Sequence, residues 1–70
     1  MEVFKLNKGE EYIELNNLLK ALSWVGTGGE AKMRIDEGEA IVNGEVETRR
    51  RKKIRSGDKV VFADAEVSIE

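Results

Sequence analysis

Two helical patterns followed by a run of strand patterns predict an α+β domain, with two antiparallel helices packed on one side of a small, mostly antiparallel β-sheet. Three observations carry this. Leu15, Leu18, Leu19 and Leu22 recur at i, i+3, i+4 and i+7, which is one face of an α-helix. Thr27 and Glu30 have the S/T-x-x-E spacing of a capping box, so a second helix starts there. Beyond Glu39 the apolar period falls towards two, around an Asn43-Gly44 pair that favours a tight hairpin because both central residues need positive φ.

Taken in order, residues 2–6 read as a short strand anchored by Val3 and Phe4, with Asn7-Lys8-Gly9 as a turn. Tyr12 and Ile13 lead into the first helix, and Glu14 is expected in its first turn, where the helix dipole favours negative charge. Trp24 follows the end of that helix and is read as a core residue rather than a base-stacking platform. The second helix is expected from Gly28 to Glu37, with Gly38 as its left-handed stop. Ala31 and Ile35 share the face that meets the leucines, while Lys32 and Arg34 fall on other faces. Ala40-Ile41-Val42 and Glu45-Val46-Glu47 flank the hairpin turn. Ile54 is the one apolar residue in the segment that follows and is expected to pin it to the core. Ser56-Gly57-Asp58 is a turn, Lys59–Phe62 a strand, and Ala63-Asp64-Ala65 turns into a last strand over Glu66–Ile69.

Composition limits the function. Seventy residues make one folding unit, expected to span 1–70 as a single domain with a modest core. The chain has no cysteine and no histidine, which removes disulfides, the usual zinc sites, thiol nucleophiles and histidine acid–base work. Asp36, Glu37 and Glu39 cluster at a helix end without the spacing of a calcium loop. No enzyme activity, metal, cofactor or small-molecule substrate is therefore expected. No apolar run reaches the roughly 18 residues of a membrane span, and the first residues do not resemble a secretory signal, so a cytoplasmic monomer is expected.

The net charge of −2, from 12 basic and 14 acidic residues, conceals an uneven distribution. Arg49, Arg50, Arg51, Lys52, Lys53 and Arg55 place six positive charges in seven residues, and the rest of the chain carries a net −8. Six adjacent cations repel one another, so the run costs stability unless an anion relieves it. Phosphate suits that role, and the four arginines favour it because the planar guanidinium fork matches phosphate geometry. Thr27, Gly28 and Gly29 form a second candidate, a helix start whose amides no bulky side chain covers. It lacks the Lys-Ser/Thr pair of a nucleotide-binding phosphate loop. An alternative is a protein-interaction module whose basic loop docks an acidic partner. Attraction to an anionic membrane is disfavoured, because the run has no adjacent amphipathic apolar face.

The order Thr27-Gly28-Gly29-Glu30-Ala31-Lys32, Ile35, Glu37-Gly38-Glu39-Ala40-Ile41-Val42-Asn43-Gly44-Glu45-Val46, then Ile54-Arg55-Ser56-Gly57-Asp58-Lys59-Val60 resembles the S4-like RNA-binding domain family, in its small stand-alone bacterial type. The resemblance covers residues 14–62. It implies an αL motif that binds structured RNA, such as ribosomal RNA or a ribosomal particle, through the second helix and the loop after the hairpin. Two positions depart from the family. Glu14-Leu15-Asn16 stands where Arg-Leu-Asp is typical, and Thr27-Gly28 where Ser-Arg is typical. The resemblance therefore assigns the RNA-binding charge mainly to Arg49, Arg50, Arg51, Lys52 and Lys53, with Lys32 and Arg55 adding to it beside Thr27, Gly28 and Gly29.

Overall fold

The structure, a computed structural model, describes residues 2–70. Strands β1 (Glu2–Phe4) and β2 (Ile13–Glu14) precede helices α1 (Leu15–Ala21) and α2 (Gly28–Asp36). Strands β3 (Ala40–Val42), β4 (Glu45–Val46), β5 (Lys53–Ile54), β6 (Lys59–Phe62) and β7 (Ala65–Ile69) follow. The main sheet has the order β1-β7-β6-β3-β4, and β2 and β5 pair separately as a two-stranded ribbon. Every pair is antiparallel except β1 with β7, so the expected mostly antiparallel α+β architecture is the one observed.

Register decides which face of the sheet is covered. Val42, Val60 and Val67 lie abreast across β3, β6 and β7, and so do Ala40, Phe62 and Ala65. All of these except Ala65, which is half-buried, are buried. Leu15, Leu18 and Leu19 of α1 and Ala31 and Ile35 of α2 join them in a single apolar cluster. Alternate residues Ile41, Val61 and Glu66 point to the other face and remain half-exposed. The period-two pattern thus gives the sheet one covered face, on which the helices pack.

The local signals act as expected at the turns. Asn43 and Gly44 both have positive φ, 51° and 87°, and close the β3–β4 hairpin. Gly38 ends α2 in the left-handed region at φ 82°, one residue after Glu37, the C-cap. Trp24 packs against the core cluster and stacks with Phe62, the ring planes 4° apart. Three expectations are corrected. Glu14 is not in the first turn of α1 but is its extended N-cap residue, because it is paired with Lys53 in the ribbon. The first strand is shorter than residues 2–6, covering Glu2–Phe4, and it pairs in parallel with the last strand. The basic segment is not wholly a loop, since Lys53 and Ile54 form β5.

Ile54 is fully buried and holds β5 to the core. Ile54→Val should lower unfolding free energy by about 0.5–1.5 kcal/mol, the usual cost of removing one buried methyl group. Val46→Ala, at a position 61% exposed, should change it by less than about 0.5 kcal/mol. Urea denaturation of both variants checks the contrast.

Candidate nucleic-acid interface

Helix α1 begins without a side-chain cap. The first amides of a helix have no partner within it, so they need acceptors from elsewhere. Those acceptors come from the basic segment: the Leu15 N–H donates to the Lys52 carbonyl and the Asn16 N–H to the Arg50 carbonyl, both at 2.9 Å. The backbone of residues 50–52 is thereby turned towards the helix.

The segment is fixed at four further points. At its start, Arg49 donates to Glu47 from Nε at 2.9 Å, from Nη2 at 3.2 Å and from its own amide at 3.0 Å. In the middle, Arg51 pairs with Glu14 at 3.3 Å. Next, Ile54 is buried opposite Ile13. At its end, the Arg55 amide donates to Asp58 Oδ2 at 2.7 Å, and Asp58 also accepts from Asn43 Nδ2 of the hairpin turn at 2.9 Å. The result is an open depression of about 550 Å³ lined by Arg49, Arg51, Lys52, Lys53 and Arg55. Arg50 is exposed but does not line it.

The cations differ in how free they are. Among the described residues, Arg50, Lys52, Lys53 and Arg55 have no carboxylate within ion-pair distance. Arg49 is held by a bidentate contact to Glu47, whereas Arg51 makes one 3.3 Å pair with its side chain 78% exposed, and such an exposed pair is weakly held and screened by salt. An incoming phosphate can therefore compete for Arg51. Arg34 is different. It bonds Glu39 through Nε and Nη2 at 3.0 and 2.8 Å, pairs with Glu30 at 3.6 Å, and lies over the Phe62 ring at 4.5 Å. Its guanidinium is held charged above its ordinary pKa, mainly by the Glu39 hydrogen bond. Its donors are thus engaged by the protein itself.

The second expected element forms as a capped helix. Thr27 Oγ1 accepts from the Glu30 amide at 3.1 Å, and the Glu30 carboxylate accepts from the Gly26 amide at 2.9 Å. Thr27, Gly28, Gly29 and Lys32 are all exposed. This helix start does not line the basic depression. It lies near Lys20, whose Nζ would be 3.8 Å from a Cβ placed on Gly28. The basic segment binds Leu15 and Asn16, at the other end of α1. Lys20 is five positions beyond Leu15, about 7.5 Å along the axis. The two candidate elements therefore occupy opposite ends of α1. Lys20 is a cation that sequence reading passed over. Its only signal is its position in the last turn of the first helix.

Comparison with known proteins assigns the architecture. The family model described as the S4 domain matches residues 4–70. This chain belongs to the S4 domain family. The chain is 44% identical over 69 residues to the Escherichia coli K12 protein named "Putative RNA-binding protein YbcJ", covering 99% of this chain and 97% of that one. A Shigella flexneri protein, "Uncharacterized protein YbcJ", matches with the same identity and coverage. The solution structure of Escherichia coli YbcJ, described as revealing an αL motif involved in RNA binding, superposes with a TM-score of 0.74 at 42% identity, covering 99% of this chain and 86% of that one. The S4 architecture expected from the sequence is thus the one present.

Within this S4 domain the Glu47 carboxyl is held below the usual carboxylate range, chiefly by the Arg49 side-chain hydrogen bond. A depressed folded-state pKa contributes stability above the ordinary carboxylate value, and that contribution is lost as pH falls through the lower folded value. An NMR titration should find Glu47 titrating below an unpaired glutamate. Arg49→Ala should move it back up. The cap gives a second test: Thr27→Ala should cost about 0.5–2 kcal/mol in urea denaturation, the usual cost of losing an N-cap hydroxyl.

Proposed function

We propose that this S4 domain binds structured RNA, with the phosphate backbone seated in the depression formed by Arg49, Arg51, Lys52, Lys53 and Arg55. The observation that carries this reading is the convergence of five cations on one rigidly backed concave surface of an otherwise acidic chain. Arg50 lies at its margin. Thr27, Gly28, Gly29 and Lys32 form a second, smaller contact at the far end of α1, where Lys20 adds charge. RNA binding by this chain is supported by its likeness to YbcJ, a relative described as RNA-binding, as well as by the site. Ribosomal RNA is the structured RNA we favour, on the S4 resemblance. The role is binding rather than catalysis.

Shape and phosphate contacts dominate such an interface, because a narrow A-form groove hides base edges from side chains. The acidic remainder, a net −8, repels RNA elsewhere and restricts docking to the cationic end. With about five phosphates engaged, affinity for a paired RNA should fall with salt with a log–log slope of roughly −3.5 to −4.5. A slope near zero overturns the reading. Arg50→Glu combined with Lys52→Glu reverses two charges that have no carboxylate partner among the described residues, so it breaks no ion pair. It should abolish RNA recovery on crosslinking in cells. Unchanged recovery would instead favour an acidic protein as the partner of the loop.

A further inference from the structure

Tyr12 stands apart from the other aromatic residues. Trp24 and Phe62 stack on each other, and Phe4 packs against the core. Tyr12 instead precedes the β2/β5 ribbon, whose antiparallel register pairs Ile13 with Ile54 and Glu14 with Lys53. One further step of that register places Tyr12 across from Arg55. Because Ile54 is buried, the alternate positions Tyr12, Lys53 and Arg55 share the outward face of the ribbon. Both cations lie over the ring: Lys53 Nζ is 5.1 Å and the Arg55 guanidinium carbon 5.5 Å from its centroid. Both cations also line the phosphate depression, and Tyr12 remains 36% exposed.

We propose that Tyr12 is a base-stacking platform, and that the RNA this surface prefers carries an unpaired base next to its paired backbone. The inference rests on RNA binding at the depression and deepens it. Bases inside an A-form helix are stacked and hidden, whereas a bulged or looped base can swing out onto an aromatic ring or a guanidinium plane. Such stacking tolerates any base, because every base has a π-face. A nucleotide whose phosphate draws Lys53 and Arg55 off the ring would uncover that ring for its own base. The competing role for Tyr12 is packing alone, in which the ring only covers the alkyl stems of its neighbours. In that case a leucine would serve as well.

The test uses two RNA hairpins with the same paired stem, one fully paired and one carrying a single bulged 2-aminopurine. The wild-type chain should bind the bulged hairpin about tenfold more tightly, and binding should quench the 2-aminopurine fluorescence as that base stacks. Tyr12→Phe should keep both the preference and the quench. Tyr12→Leu should bind the two hairpins equally and without quenching. Arg50→Glu with Lys52→Glu should weaken both hairpins alike. Equal wild-type binding without quenching, or a Tyr12→Leu variant that keeps the preference, overturns the stacking role and leaves phosphate binding intact. Failure of the wild-type chain to bind either hairpin overturns both. The wild-type quench and the Tyr12→Phe result stand even if Tyr12→Leu does not fold.

Discussion

The first two amides of α1 have no acceptor of their own, and the backbone of the basic segment supplies both. This one constraint organises the functional end of the molecule. With the Arg50 and Lys52 carbonyls tied to the helix and Ile54 sunk in the core, the segment cannot behave as a free, mutually repelling loop. Its backbone faces the protein, and its guanidinium and ammonium groups are left around an open depression. The same hydrogen bonds join the helical layer to the charged surface, so an error in α1 packing would disturb the site directly.

Electrostatics then sorts the arginines by role. Arg34 has two carboxylates and a ring face, all supplied by this chain, and acts as a structural clasp between α2, Glu39 and Phe62. Arg49 is anchored to Glu47 by a bidentate contact, while Arg51 has a single exposed pair to Glu14 that an anion can take over. Arg50, Lys52, Lys53 and Arg55 have no such partner among the described residues, which leaves a local excess of positive charge beside an acidic body. The net charge of −2 is consequently a poor guide to what the protein attracts. Its distribution is the informative quantity, since a single-sign concave patch concentrates an oppositely charged ligand.

Much of this was legible in the amino-acid order, for identifiable reasons. The leucine stripe, the Thr27 cap, the Gly38 stop and the Asn43-Gly44 turn are local signals, and each is found where its chemistry places it. The basic run needed only charge counting. What was not legible is non-local. Two residues are too few to show a period, so nothing in the sequence announced that Lys53 and Ile54 pair with Ile13 and Glu14. That pairing in turn withdraws Glu14 from the helix and brings Tyr12 beside Lys53 and Arg55. The parallel match of β1 to β7 joins the two ends of the chain and likewise has no local signature. The separation of the two candidate contacts by the length of α1 depends on the packing of both helices, which periodicity alone does not order.

The central claim is that phosphate is received by the surface that the α1 start and the basic segment build together. Amide chemical-shift mapping by NMR during titration with a paired RNA hairpin tests it most directly. The account predicts that the largest changes fall on residues 49–55 and on Leu15 and Asn16, whose N–H groups bind the Lys52 and Arg50 carbonyls. A smaller set is predicted at Thr27, Gly28, Gly29 and Lys32. Changes concentrated instead on Ile41, Val46 and Val61, the half-exposed and exposed residues of the uncovered sheet face, would contradict it.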